Sequence, residues 1–305
     1  MSSESQLFPI LRLPLLALEE ILLNAGLIEL YNLATLSGRL WAFLKNHFAR
    51  NSNRFNLQII IRLPEYFLVT NFRGLSLQVR YAQNYHETFK QGMLDCQELF
   101  NFPPVHLHLS RAPDNIVLEF LECLKKPNFK RDIIVFLDTY SGAITENIVN
   151  ACRSFPRFLI KGRTPMRIQH SKCKPFTFKN LTLNITYADW VSIEHITDLF
   201  MDCKSLRLQN CKLGAVEFAI FLQKWTQNSS MEEAVFNCNA FTFQKVFRNF
   251  TFSPPAVMIE EVKLKGKTIK AQEGACYMLQ QQSGKRAIVY FSTVSKLTLT
   301  TAFEL

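Results

Sequence analysis

One spacing recurs in the second half of the chain and restricts the folds open to it. Cys203, Leu206, Leu208, Cys211 and Leu213 put apolar side chains at the first, fourth, sixth, ninth and eleventh places of one window. Looser copies flank it: Phe178, Leu181, Leu183, Thr186 and Ala188 before, Met231, Ala234, Phe236, Asn239 and Phe241 after, then Ile259, Val262, Leu264, Lys267 and Ile269. These windows begin 25, 28 and 28 residues apart. Upstream, Phe155 with Phe158 and Ile160, Phe102 with Val105 and Leu107, and Phe72 with Leu75 and Leu77 extend the series. An alternating pair such as Leu206 and Leu208 points both side chains to one side of a short strand, and the segment between windows is long enough for a covering helix. A unit of this size cannot bury its apolar side alone, so the units are expected to stack.

The slot order is that of a leucine-rich repeat, and the predicted fold class is α/β with an LRR-like solenoid over the larger part of the chain. Covering helices are expected at 113–126, 144–154, 192–202, 215–228 and 242–250. The strand "DIIVFL" between the copies at 102 and 155 has an open register. The chain's 27 Phe residues include several at slot positions, where they are expected to fill the solenoid spine. From Cys276 to Thr300 the alternating sequence with Ser283-Gly284 predicts hairpin strands that cover the last edge. An irregular α/β or α+β domain that happens to fill a permissive template is the competing reading.

The first 50 residues have a different character. Leu18, Ile21 and Leu22 after Pro14 predict a short helix stopped by Asn24 to Gly26. A second helix begins near Ile28, with Leu30, Leu33, Ser37, Leu40, Trp41 and Leu44 on one stripe. Polar residues from Ala49 to Arg54 suggest a boundary, giving 8–50 and 55–305 as domains. Positive and negative residues balance four to four in 1–50, so the whole net charge of +10 lies beyond it.

A 48% hydrophobic content excludes wholesale disorder. No apolar run is long enough for a membrane span, since Leu11 to Leu30 is interrupted by Arg12, Glu19, Glu20 and Glu29. The N-terminus lacks the pattern of a secretory leader, so a cytoplasmic or nuclear location without membrane attachment is expected. On that reading the triplets at Asn180, Asn184, Asn228 and Asn249 stay unglycosylated. Eight cysteines stand singly, without a C-x-x-C pair, and are expected to be reduced and mostly buried.

No catalytic signature emerges. Gly266-Lys267-Thr268 lacks the earlier glycine of a phosphate loop, because Glu261 stands there. His106 and His108 share a strand face but have no third and fourth ligand at motif spacing. Asp95, Glu98, Glu232 and Glu233 are read as surface carboxylates. Two basic clusters, Lys161, Arg163, Arg167, His170, Lys172 and Lys174, then Lys263, Lys265, Lys267 and Lys270, lack the interleaved aromatics of a single-strand binder. They are read as solvated faces or a surface for an acidic partner, and nucleic acid is not expected. No cofactor or metal is expected.

Leu13-Pro14, Leu18, Ile21, Glu29-Leu30, Leu33 and Ser37, preceded by Phe8-Pro9, resemble an F-box. Leu16, Leu27 and Gly38 depart from its usual Glu, Pro and Ser-Lys-Arg. The region from Leu181 to Cys238, and the later "GKTIKAQEGACYMLQQQSGKRAIVYFS", resemble the type 2 F-box-associated domain of nematode F-box proteins. This resemblance implies a non-catalytic, substrate-recognition subunit of an SCF-type E3 ubiquitin ligase. Its F-box would dock a Skp-type adaptor, and through it a cullin, by Leu13, Pro14, Leu18, Ile21, Leu30 and Leu33. The domain after it would hold an unidentified target protein. Three alternatives stand beside it: a protein-interaction scaffold or inhibitor with a degenerate F-box, a helical cap on the first strand of the solenoid, and an enzyme of unknown type. Because no ligand set for a metal is expected, chelators should leave the melting temperature unchanged, and a large downward shift in a thermal scan would refute this.

Overall fold

The computed structural model describes residues 27–49, 56–62, 65–72, 75–82, 86–100, 104–110, 113–125, 133–138, 146–153, 155–161, 169–176, 182–264, 267–270, 276–292 and 296–304, together with 13, 14, 17, 20, 21 and 25. It is a mixed α/β protein. The chain divides into two compact units between Leu107 and His108. The expected boundary at 50–55 lies outside the described residues.

The first unit contains α1 (Leu27–Leu36), α2 (Gly38–Ala49), strands β1 (Asn56–Arg62), β2 (Glu65–Phe72) and β3 (Leu75–Ala82), and α3 (His86–Leu99). The single stripe expected from Leu30 to Leu44 is carried by two helices, because the helix breaks at Ser37. Ser37 is a residue that favours helix starts, and its carbonyl accepts the Trp41 N–H at 2.9 Å to open α2. Leu40, Leu44 and Phe48 then recur at four-residue steps and are buried. The Phe48 ring meets Phe100 at 5.1 Å, and Lys45 pairs with Glu98 at 2.8 Å. Helix α3 buries Phe89, Met93, Cys96 and Leu99 at the same kind of spacing. Strands β1 to β3 form an antiparallel meander, with Ile59 opposite Leu68 and Leu68 opposite Val79. Phe72, Leu75 and Leu77 therefore belong to a meander and not to a stacked repeat.

The second unit begins within β4 (Val105–Ser110) and continues through α4 (Asp114–Leu124), β5 (Ile133–Asp138), α5 (Glu146–Cys152), β6 (Arg157–Lys161), β7 (Thr182–Ile185), a π-helical segment (His195–Phe200), β8 (Ser205–Leu208), α6 (Ala215–Asn228), β9 (Glu233–Asn237) and α7 (Ala240–Asn249). The helices fall within two residues of their expected positions at most ends. Strands β5 to β9 are parallel neighbours in chain order. Their register aligns Val135, Phe158, Leu183, Leu206 and Ala234 in one transverse row, and all five are buried. This assigns the open register of "DIIVFL".

Two repeat assignments are corrected by that register. Leu183 and Ile185, rather than Leu181 and Leu183, occupy the slots of Leu206 and Leu208. A two-residue slip leaves the alternation intact, so the pattern of apolar residues alone does not detect it. The copy from Ile259 to Ile269 is not a further parallel unit either. Its residues form β11 (Glu261–Leu264) and β12 (Lys267–Lys270), an antiparallel pair of their own. The strand that follows β9 in space is β15 (Lys296–Thr300), antiparallel, with Leu299 opposite Ala234.

Strands β13 (Cys276–Gln280) and β14 (Arg286–Ser292) complete the antiparallel end, and the two-residue β10 (Val257–Met258) pairs with β13. The β13–β14 turn is closed by the Gln281 N–H to the Lys285 carbonyl at 2.8 Å, with Gly284 at φ 87°, the left-handed region in which glycine carries no side-chain penalty. The expected cover of the last edge is thus present.

Helices cover one side of these strands. Phe218 and Phe221 of α6 meet Phe236 of β9 at 5.6 and 5.0 Å. Phe243 of α7 meets Phe291 at 5.9 Å, and Phe247 stacks on Tyr277 at 3.9 Å. Phe236 is locked between two rings of one helix, so Phe236→Ala should cost about 3–5 kcal/mol in urea unfolding. Phe241→Ala, at an exposed position, should stay within about 0.5 kcal/mol. Equal effects of the two would place Phe236 outside the core.

Candidate functional site

The N-terminal residues singled out in the sequence separate by environment. Leu13 and Leu33 are half-buried, Pro14 is exposed, and Ile21 is 38% exposed. Leu30 is only 3% exposed and is part of the interior of the first unit. Leu18 lies outside the described residues. The Ala25 N–H donates to the Ile21 carbonyl at 2.8 Å.

The second unit offers the side of its parallel strands that the helices leave open. Register places Leu159, Asn184, Arg207, Val235 and Thr298 in one row, and Arg157, Thr182, Ser205, Glu233 and Thr300 in the next. These are the alternate positions of strands whose other residues form the core. Glu233 gathers the middle of this face: it accepts the Ser205 hydroxyl at 2.9 Å and the Arg207 guanidinium at 3.0 and 3.1 Å. The Asn184 Oδ1 atom is buried and has no hydrogen-bond partner among the described residues. At the antiparallel end Val262, Cys276 and Ile288 pack together with Ile259, Leu264, Tyr290 and Phe303, so the β11 hairpin and the chain end cover that part. What remains is a mixed surface on which the half-buried Leu159 and Val235 stand among polar groups, with the Glu233 carboxylate fixed by Ser205 and Arg207.

The loops after the strands carry a chain of amide contacts that sequence reasoning missed. Asn210 sits at φ 57°, a conformation asparagine tolerates better than most residues. Its Nδ2 donates to the Thr186 carbonyl at 2.9 Å, and its backbone N–H donates to Asn237 Oδ1 at 3.0 Å. Cys211, which fills the repeat's Asn/Cys slot, directs its thiol to the Asn237 carbonyl at 3.7 Å. The available signal was the dipeptide Asn-Cys, which recurs at 210–211 and 237–238.

Other candidates have structural roles. Ser192 and His195 come together at 2.8 Å, but His195 Nδ1 also accepts the Ser192 backbone N–H at 3.2 Å, and the imidazole is buried. Both contacts tie the imidazole to Ser192, just ahead of the π-helical segment, and leave it little opening to solvent. His106 and His108 lie half-buried on one face of β4, and the His108 ring is stacked on Phe136 at 4.3 Å. Glu232 pairs with Lys204 at 3.3 Å, and Asp95 accepts from Gln91. Lys172 and Lys174 are exposed, while Arg163, Arg167, Lys265 and Gly266 lie outside the described residues. Among the described residues no three His, Cys, Asp or Glu side chains cluster as metal ligands, and no helix is long and apolar enough to cross a membrane.

All cysteines are free; seven are buried and Cys211 is half-buried. Burial is the main cause that pushes the Cys96 and Cys238 thiols up to about 12, and those of Cys173 and Cys276 to about 11, from 9.0. Their protonated state is therefore preferred in the fold. Below pH 9 folded and unfolded chains both hold these protons, and above it the unfolded chain loses them first. Stability should fall as pH rises from 9 toward 11, and less steeply after Cys276→Ala. At neutral pH a thiol reagent should label Cys211 first and the buried cysteines only in denaturant. Rapid native labelling of Cys96 or Cys276 would contradict their core positions.

No family model, curated protein or solved structure matches this chain.

Proposed function

We propose that the protein is a substrate-recognition adaptor of an SCF-type E3 ubiquitin ligase. In this reading residues 8–50 are an F-box that docks a Skp-type adaptor and through it a cullin. Residues 55–305 are a target-binding domain of the type 2 F-box-associated class, with an LRR-like solenoid architecture. The chain recruits a target and leaves ubiquitin transfer to other subunits, acting in the cytoplasm or nucleus. The observation that carries the reading is the side chain of Ile21, apolar and open to solvent in the segment whose residue order resembles an F-box. Ile21 keeps 38% of its surface exposed, so covering it with a partner gains a fraction of the about 1.5–3 kcal/mol that full burial of such a side chain gives. The parallel strands β5 to β9, with one helix-covered side and one open side, support a domain that holds a target on its open strands.

A second reading, a protein-interaction scaffold with a degenerate F-box, is favoured by the burial of Leu30. That residue is committed to the first unit and is not offered to an adaptor. The two readings differ in one experiment: co-purification of the chain with a Skp-type adaptor and cullin. Ile21→Asp should leave the fold intact, since the position is exposed, and should weaken retention by about tenfold or more because docking would bury an unpaired carboxylate. Loss of retention in this variant supports the adaptor. Absence of wild-type retention overturns it in favour of the scaffold.

A further inference from the structure

The outer sides of α6 and α7 carry two rows that stand exposed, uncovered by other described residues of the second unit. Along α6 the row is Val216, Ile220 and Lys224, and along α7 it is Phe241, Lys245 and Arg248. Val216 is 55% exposed, Ile220 41% and Phe241 65%. The three cations and Lys212, just ahead of α6, are exposed as well. The helices follow neighbouring parallel strands, so the rows run in the same direction. The Gln223 side chain of α6 donates to the Thr251 carbonyl, just beyond the end of α7, at 3.2 Å. The apolar starts of the helices are therefore adjacent, and so are their basic ends.

Charge identifies what this surface fits. Glu217 is the one carboxylate on the two helices, and it is turned back to accept the Gly214 N–H at 3.0 Å. Glu232 and Glu233 are engaged with Lys204 and Arg207. Among the described residues no carboxylate pairs with Lys212, Lys224, Lys245 or Arg248. Lys245 instead lies over the Phe241 ring at 4.2 Å, so the cation and the largest exposed apolar group form one contact. A second copy docked on the same face would set these cations against each other, which disfavours self-association.

We infer that the paired outer faces of α6 and α7 dock an acidic amphipathic helix, whose apolar residues at three- and four-residue steps cover Val216, Ile220 and Phe241 while flanking carboxylates meet Lys224, Lys245 and Arg248. Apolar burial provides the affinity, and the uncompensated cations select the partner and speed its approach. The inference does not depend on how residues 8–50 are used.

The test is fluorescence anisotropy on the full chain with a labelled helical peptide of about 18 residues, Leu at three- and four-residue steps and Glu at the flanking positions. A matched peptide carries Lys in place of Glu. The Glu peptide should bind saturably and the Lys peptide should not. Ile220→Asp, or the milder Phe241→Ala, should weaken binding about tenfold, as should the double variant Lys245→Glu, Arg248→Glu. The double variant should also flatten the loss of binding between about 0.05 and 0.5 M salt. Circular dichroism melting checks that each variant is folded. Equal binding of the two peptides, or binding untouched by these variants, overturns the proposal. So does a concentration-dependent dimer abolished by Phe241→Asp, which assigns the surface to a second copy. Capture of anionic phosphatidylserine vesicles without binding of the Glu peptide assigns it to a membrane.

Discussion

The transverse row Val135, Phe158, Leu183, Leu206 and Ala234, continued by Leu299, is the contact on which the second unit depends. Each strand brings one side chain to it, and none of these short strands could stay ordered without its neighbours. Once the row is set, the next positions follow: Ile160, Ile185, Leu208, Phe236 and Leu297 form a parallel row, and the rings of α6 have a floor. The open side is determined by the same event, since every residue between two core positions must point the other way. Core and surface are thus two readings of one register.

That dependence explains which parts of the structure were legible in the sequence. Leu206 and Leu208 were readable because the strict window around Cys203 has a single good alignment. Leu183 was assigned to the wrong slot because Leu181, Leu183 and Ile185 are interchangeable by apolar pattern, and only hydrogen-bonded pairing with β8 separates them. The break at Ser37 was hidden by a stripe that continues in phase from Leu30 to Leu44 across two helices. The copy at Ile259 matched the template by composition alone, and its strand pairs antiparallel with its own neighbour. The helices from α4 to α7 were legible because each combines a three- to four-residue apolar period with a clear stop.

The polar connections were less legible, since their partners are distant in sequence. Asn210 reaches Thr186 on one side and Asn237 on the other, linking three consecutive turns through amide groups. At the opposite ends of the strands, Ser229 and Ser230 donate to the carbonyls of Met201 and Asp202, while Trp225, Gln281 and Lys285 converge on the carbonyls of residues 229–231. Backbone groups in turns need partners once they leave the strand ladder, and side chains of neighbouring turns supply them. The sides of this unit also differ in chemistry. The open strand side carries a hydrogen-bonded carboxylate and arginine, and the outer helix side carries exposed aliphatic and aromatic groups among cations that no carboxylate of the described residues meets.

The reversal of direction at β15 sets a limit of another kind. A parallel stack can grow at a bare edge whenever a gene segment for one more unit is appended, because each new strand finds the same template as the last. Here β9 is already occupied by a strand running the other way, and β14 and β13 follow it. A further parallel unit therefore finds no free edge at β9, and lengthening the stack there would require β15 to give up its pairing.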